Sequence, residues 1–161
     1  MIVDYFLGRT TDSEGKTIND YLSMDNEALE NDRGWVPWVF PSTEKSNNFP
    51  DAPILSQSDV EIFKEDSILK ELVRQTTNHY LRFLNSTYKW RNTADPAHAR
   101  ITRMIRFLST IGMSEESAKV AKWCIDRASA SKKIKTYWDA GSTFKPEWER
   151  KQETENTPKD P

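Results

Sequence analysis

The sequence has 161 residues, a net charge of −2 and a single cysteine, Cys124, so it predicts one polar globular domain and excludes a disulfide framework or a cysteine-based metal cluster. No apolar run approaches the roughly 18 residues that a transmembrane helix needs, and the start of the chain lacks the basic segment of a secretory signal. We therefore expect a protein of the cytoplasm, in its own cell or in an infected host cell, without a metal or another cofactor.

The charge changes sign along the chain. Residues 1–66 carry 14 acidic and 5 basic side chains, residues 67–135 carry 5 acidic and 14 basic ones, and residues 136–161 carry 6 and 4. In one interpretation, the acidic and basic halves pack together and neutralise each other. In the other, the protein has a surface with two oppositely charged faces that binds a charged partner.

Two short helices are predicted in the acidic half. Thr17 can cap a helix over residues 18–24, and Asp25 can cap the next turn through Glu30, because such side chains accept hydrogen bonds from the first free N–H groups of a helix. Pro37 then disfavours one long helix, since proline costs about 3 kcal/mol in a helix interior.

The densest apolar stretch of the chain is WVPWVFP, at residues 35–41. Burial of a large apolar side chain contributes roughly 1.5–3 kcal/mol, so we predict that this stretch lies at the centre of the core. A loop rich in Ser, Asn, Asp and Pro follows at residues 42–53. Loops of this length in compact domains are often functional or well tied down.

Four more helices are predicted in the rest of the chain. Helical spacing of apolar residues, together with capping residues, places them at residues 59–64, 66–84, 96–111 and 114–130. We therefore predict an all-α, single compact domain of about five helices over residues 1–135. The prediction for residues 136–161 is an extended tail, partly docked through its aromatic side chains and disordered from residue 149 onward.

Three stretches of the sequence resemble one known pattern. NDYL, LE and WVPWVFP, at residues 19–22, 29–30 and 35–41, are similar to D…LE…H.YIQWLFP. The segment from Ser46 to Leu55 resembles N…APLL, and DPAHARITRMIRFL at residues 95–108 is similar to DHNHLRITRILRSL. These are motifs of the conserved region of the opioid growth factor receptor and its prokaryotic and viral relatives, and the resemblance covers about residues 5–130.

The sequence departs from that family pattern at two places. Asp32 or Arg33 stands near the position of its first His, and Pro37 replaces its Gln, so a role of that His or Gln is not carried over. The animal relative is described as an enkephalin receptor linked to the nucleus and to growth control. The resemblance singles out polar residues that a core alone does not require, namely Asn48, His98, Arg100 and Arg103.

Three arginines form a ridge on the predicted helix 96–111. Arg100, Arg103 and Arg106 are spaced i, i+3 and i+6, and their forked donors suit a carboxylate or a phosphate. Alternatively, they pair with the acidic half of the chain, in particular with Glu30 and Asp32.

His98 stands at the start of the same helix. Its ordinary pKa of about 6.5 suits anion binding or general base catalysis, but a histidine there can equally be a capping or buried hydrogen-bonding group. We interpret His79, within the apolar arc of the helix 66–84, as a core histidine. Cys124 lies on the predicted buried side of its helix without a partner base, so it is not expected to be a nucleophile.

A basic segment with interleaved aromatic residues covers residues 119–135. Trp123 projects from the polar side of its predicted helix, a combination that suits nucleic-acid phosphates and base stacking. It suits equally a Trp123 that the C-terminal aromatic residues cover, beside a solvated face of lysines, or a contact with a protein partner.

We therefore expect a non-enzymatic binding or regulatory protein that contacts a protein or peptide partner through the loop 42–53 and the arginine ridge. A nucleic-acid-associated protein that uses residues 119–135 and the tail is one alternative, and a small enzyme that uses His98 is another. The predicted binding residues are Asn48, His98, Arg100, Arg103, Arg106 and Trp123.

Overall fold

The computed structural model describes residues 1–92, 94–129 and 131–156. This part of the chain forms eleven helices and no strand. None of these helices is both long enough and apolar enough to cross a membrane. The helices are α1 (Ile2–Phe6), α2 (Ile18–Leu22), α3 (Asn26–Asn31), α4 (Val36–Val39), α5 (Gln57–Glu65), α6 (Ser67–Asn85), α7 (Lys89–Asn92), α8 (Ala97–Thr110), α9 (Ser114–Arg127), α10 (Lys132–Gly141) and α11 (Glu147–Asn156).

The prediction of an all-α domain is confirmed, but the prediction of about five helices is wrong. Helices α2, α3, α5, α6, α8 and α9 lie close to the predicted segments. The unexpected ones include α1, α4 and α7, which have only four or five residues each. Helices this short are not stable on their own, so tertiary packing fixes them, and periodicity cannot reveal them.

Side chains cap several helices as their residue types predict. The Thr17 hydroxyl accepts a hydrogen bond from the Asp20 N–H, and the Asp20 carboxylate accepts one from the Thr17 N–H, which makes a capping box at α2. Asp66 caps α6 by accepting from two backbone N–H groups. Helix α8 begins at Ala97, one residue later than predicted, and its N-cap residue Pro96 has no side-chain cap; the Asp95 carboxylate accepts a 2.9 Å hydrogen bond from the Ala97 N–H.

The apolar stretch 35–41 lies in the centre of the core, as predicted. All seven of its residues are buried, and its middle forms α4. The Trp35 ring lies 5.0 Å from the ring of Tyr21 in α2 and 5.4 Å from the ring of Tyr80 in α6. The stretch therefore joins the N-terminal helices to the long central helix.

Residues 131–156 belong to the fold and do not form an extended tail. Helix α10 packs against α8 and α9, and the predicted boundary at residue 135 falls inside it. Its Trp138 is fully buried, and the indole N–H points at the His98 carbonyl oxygen, 3.4 Å away. Helix α11 occupies part of the segment that was predicted to be disordered, while residues 157–161 lie outside the described chain.

Helix α11 is fastened to the body of the protein by ion pairs. Glu149 pairs with Lys64 of α5, and Arg150 pairs with Glu44 of the loop 42–53 at 3.6 Å. Just before α11, the Phe144 carbonyl oxygen accepts a hydrogen bond of 2.7 Å from the Ser109 hydroxyl of α8. The C-terminal segment therefore borders the face of α8 that carries the arginine ridge.

Candidate anion-binding site

A groove of about 480 Å³ lies between the first half of α8 and the loop 42–53. Three arginines line it, and no carboxylate does. The remaining lining side chains are small, polar or apolar. We call this depression the arginine groove; its lining residues are Arg33, Val36, Ser46, Asn48, Phe49, Pro96, Ala99, Arg100 and Arg103.

A smaller pocket of about 180 Å³ adjoins the groove further along α8. It shares Ser46 and Arg103 with the groove. Five hydroxyl side chains line it, so we call it the hydroxyl pocket. Its lining residues are Pro41, Ser42, Thr43, Glu44, Lys45, Ser46, Thr102, Arg103, Arg106, Phe107, Thr110 and Phe144.

Arg100 has a structural role at the inner edge of the groove. It is only 5% exposed, and its two terminal nitrogens donate hydrogen bonds to the carbonyl oxygens of Leu29 at 2.7 Å and Glu30 at 3.3 Å. The last four carbonyls of a helix have no partner within the helix, and these two belong to the end of α3. Its guanidinium also lies 5.4 Å from the centre of the Trp35 ring. Arg100 therefore caps α3 and fastens it to α8.

Arg103 is held in place by contacts that leave its charge unpaired. Its Nε donates a 3.0 Å hydrogen bond to the Phe40 carbonyl oxygen, and its guanidinium lies 5.8 Å from the centre of the Phe49 ring. No described carboxylate forms an ion pair with it, and burial lowers the pKa of its guanidinium to about 10. Arg103 is therefore still charged at neutral pH, and it lines both the groove and the hydroxyl pocket.

Arg106 follows one turn later and also has an aromatic contact. Its guanidinium lies 4.9 Å from the centre of the Phe144 ring, and its Nε is buried without a hydrogen-bond partner. Within the described residues it too forms no ion pair with a carboxylate. Arg103 and Arg106 are thus positioned by aromatic rings and a carbonyl, and neither forms an ion pair with a described carboxylate.

The acidic residues that could have paired with the ridge have other partners. The Asp32 carboxylate forms an ion pair with Lys16 and accepts a 2.9 Å hydrogen bond from the Gly34 N–H. Burial alone would raise the pKa of Asp32, but these hydrogen bonds and the charges of Lys16 and Arg100 outweigh it and lower the pKa. Glu30 offers Arg100 its backbone carbonyl. Neither carboxylate therefore forms an ion pair with an arginine of the ridge.

Asn48 lies where the sequence predicted a binding residue. It is exposed on the loop 42–53 and lines the arginine groove opposite α8. Its backbone N–H donates to the Ser46 hydroxyl at 3.3 Å, which shapes the turn of the loop. Asn48, Arg100 and Arg103 are thus brought together, with Arg106 one pocket away.

His98 does not belong to this groove. It is 8% exposed, its Nε2 lies 2.7 Å from the Trp90 carbonyl oxygen, and its ring meets the Trp138 ring edge to face at 5.5 Å. A histidine bound to a backbone carbonyl and packed between α7 and α10 is a buried hydrogen-bonding group. This surrounding gives no support to a catalytic base.

Trp123 is also separate from the groove. Its ring stacks on the ring of Trp90 at 5.9 Å, and the guanidinium of Arg127 lies over it at 4.2 Å. The covering partner is thus Trp90, from α7, and not the C-terminal aromatic residues that the sequence suggested. These intramolecular contacts occupy the ring surface that a nucleic-acid base would need.

No group of three or more His, Cys, Asp or Glu side chains among the described residues could hold a metal ion.

No family model, no curated protein and no solved structure matches the sequence of this chain.

Several site residues were not predicted from the sequence. Arg33 and Lys45 are two of the five basic residues in the acidic first part of the chain, and each lines one of the two depressions. An isolated base in an acidic segment was a signal that could have drawn attention to them. Phe144 gave no comparable signal, because its position over Arg106 depends on how the C-terminal segment folds back.

Proposed function

We propose that this protein is a non-enzymatic binding protein of the cytoplasm with a regulatory role, and that the arginine groove binds an acidic segment of a protein partner. The observation that carries the proposal is a groove of about 480 Å³ that three arginines line without any carboxylate. Membership in the opioid growth factor receptor family, which the motifs at residues 35–41 and 95–108 suggest, is part of the same proposal.

The partial burial of Arg103 favours the binding of an anion. Removing a charge from water is costly unless an opposite charge or good hydrogen bonds compensate. Arg103 bears this cost, because burial lowers the pKa of its guanidinium from its ordinary value. One hydrogen bond to a carbonyl is incomplete compensation for five donors. A carboxylate in the groove would supply charge-assisted hydrogen bonds, each worth roughly 1.5–3 kcal/mol.

The shape of the groove favours a peptide over a small ion. Val36, Phe49, Pro96 and Ala99 give it an apolar side, and buried apolar contacts surrounded by charged groups are typical of peptide and protein recognition. The charged side would fix the direction and register of a bound segment, and electrostatic attraction would speed its association.

The enzyme alternative receives little support. It depended on His98 in a cleft beside a carboxylate, whereas the His98 ring is buried against a backbone carbonyl and an indole. A general base must reach the proton that it removes from a substrate. The proposal therefore assigns His98 to the packing of α8 against α10.

The test is binding of a fluorescein-labelled hexapeptide of glutamate, measured by fluorescence anisotropy at low salt. Arg33→Gln and Arg103→Gln should each weaken binding at least about tenfold, which corresponds to the loss of one charge-assisted hydrogen bond. Arg82→Gln is the matched control, because Arg82 is an exposed arginine of α6 outside both depressions.

Two results would refute the proposal. One is a lack of binding by the wild type at low salt. The other is equal weakening by Arg103→Gln and by the control Arg82→Gln, which would mean a general charge effect. If neither result occurs, a lysate of the native host is passed over immobilised wild type and over immobilised Arg103→Gln. A protein that only the wild type retains is a partner that depends on the groove.

Nucleic-acid binding is the second candidate, and the lysines of α9 and α10 favour it. Within the described chain, Lys119, Lys132, Lys133 and Lys135 form no ion pair with a carboxylate, so their charges are available to phosphates. In a gel-shift assay, binding through these lysines should fall steeply with salt, with a slope near −0.9 per phosphate contact on duplex DNA. Affinity that is unchanged in Lys132→Gln with Lys133→Gln would exclude this surface.

A further inference from the structure

We infer that the hydroxyl pocket binds a phosphoryl group, so that the segment recognised by the arginine groove carries a phosphorylated serine or threonine. The inference rests on the proposed function, because it names the chemistry of the partner at the same site. It depends on the polar groups of the pocket, on its net charge and on its continuity with the groove.

The loop wall of the pocket carries hydroxyl groups that donate no hydrogen bond within the described residues. Ser42 and Ser46 each accept a hydrogen bond from a backbone N–H, that of Glu44 and that of Asn48, and neither hydroxyl donates one to another described residue. The Thr43 hydroxyl is buried and has no hydrogen-bond partner. The three residues that carry these hydroxyls lie within a stretch of five residues that lines the pocket.

The hydroxyls on the opposite wall behave differently. Thr102 donates to the His98 carbonyl oxygen at 3.1 Å, and Thr110 donates to the Arg106 carbonyl oxygen at 2.7 Å. Their protons are used inside α8, as is common for threonine in helices. The helix wall thus offers its arginines, and the loop wall offers its hydroxyls.

The net charge of the hydroxyl pocket also suits a phosphoryl group. Lys45, Arg103 and Arg106 bring three positive charges to the pocket, and Glu44 brings one negative charge that pairs with Arg150 at 3.6 Å. A phosphate monoester carries about −1.5 to −2 at neutral pH and has three terminal oxygens. It therefore matches the net charge of the pocket, and its oxygens can accept from more donors than a carboxylate can.

The hydroxyl pocket and the arginine groove are adjacent and share part of their lining. Ser46 and Arg103 line both the hydroxyl pocket and the arginine groove. A chain that lies in the groove could therefore place one side chain in the pocket without leaving its track. Arg103, anchored by its Nε, would direct its terminal nitrogens to the phosphoryl oxygens, as forked guanidinium groups do.

The experiment compares three labelled heptapeptides that differ only at a central position between acidic flanks. The central residue is phosphoserine, glutamate or serine, and binding is followed by fluorescence anisotropy. The phosphoserine peptide should bind at least about tenfold more tightly than the serine peptide, the factor that one charge-assisted hydrogen bond adds. The glutamate peptide should fall between them. Acidification from pH 7.5 to 5 should weaken only the phosphopeptide, because the second phosphate pKa lies near 6.

Variants separate the pocket from the groove. Lys45→Gln changes an exposed loop residue and Thr43→Val removes the unpartnered hydroxyl; each should reduce the preference for the phosphoserine peptide over the serine peptide. Arg33→Gln should weaken all three peptides by a similar factor, since Arg33 lines only the groove. Thr87→Val is the control for Thr43→Val, because Thr87 lies in neither depression.

Each possible outcome is decisive. Equal binding of the three peptides would overturn the phosphoryl site and leave the proposed function standing, whereas no binding of any peptide would overturn both. Binding of phosphatidic acid vesicles without binding of the phosphopeptide would assign the pocket to a membrane and refute the inference as well.

Discussion

Arg100 provides a quantitative test of how α8 is fastened to α3. We predict that Arg100→Ala lowers the free energy of unfolding by about 3–5 kcal/mol. The 2.7 Å bond to the Leu29 carbonyl oxygen is a charge-assisted hydrogen bond worth roughly 1.5–3 kcal/mol, and the 3.3 Å bond to Glu30 adds a smaller amount. The contact with the Trp35 ring adds about 0.5–1 kcal/mol or more when desolvated.

This loss is large for a single substitution. Domains unfold with a free energy of only about 5–15 kcal/mol, and a loss of 1 kcal/mol lowers the Tm of a chain of this size by about 2–4 °C. The alanine variant should also leave two carbonyl oxygens at the end of α3 without partners. Both effects act in the same direction.

Urea unfolding followed by tryptophan fluorescence is the suitable assay, because the Trp35 ring lies 5.4 Å from the guanidinium. Arg100→Lys should lose less, about 1–3 kcal/mol, since lysine keeps the charge near the C-terminus of α3 but lacks the forked pair of donors. Arg82→Ala, at an exposed site of α6, should stay within about 0.5 kcal/mol of the wild type. An Arg100→Ala midpoint that matches Arg82→Ala, at an unchanged slope, would refute the reasoning.

Three further predictions concern other parts of the chain. The pKa of Asp32 is lowered in the folded protein, so its contribution to stability is present above its unfolded value of 3.8 and is lost as the pH falls through the folded value. Asp32→Asn should therefore be less stable than the wild type at pH 7, and the difference between the urea midpoints should shrink as the pH falls below 3.8; a constant difference down to pH 2 would contradict this. Trp138→Ala should lower the free energy of unfolding by about 3–5 kcal/mol, because the indole is fully buried. Tyr137→Ala should lower it far less, since the Tyr137 side chain is nearly half exposed. Equal Tm values for the two variants in calorimetry would contradict the burial of Trp138. Burial raises the pKa of the Cys124 thiol to about 12, so a thiol reagent at pH 8 should react with it only after urea unfolding, and rapid modification of the native protein would count against its burial.

The parts of the fold that depend on local chemistry could be predicted from the sequence. Thr17 and Asp66 cap helices because their own oxygens reach neighbouring N–H groups, and the apolar stretch 35–41 is buried because no other run is as apolar. Helix α10 could not be predicted in this way. Its Trp138 is buried against α8, where it meets His98, 40 residues earlier in the chain, while most of the other residues of α10 are polar.

The candidate site shows the same division. The spacing of Arg100, Arg103 and Arg106 placed them on one ridge, and Asn48 was expected beside them. The sequence could not distinguish their roles, because the partners of Arg100 and Arg103 are backbone carbonyl oxygens, and a carbonyl leaves no trace in residue type. Only the path of the chain from residue 29 to residue 40 decides which arginine is used for structure and which keeps an unpaired charge.

The charge of the groove and its exposed hydrogen-bonding side chains belong to different parts of the chain. The charge of the groove is fixed to the carbonyl of a fully buried residue at the end of the apolar stretch. The hydroxyls and Asn48 belong to the exposed loop that follows. Exchange of the loop sequence between residues 43 and 48 could therefore change which ligand is preferred while the attraction for anions is kept.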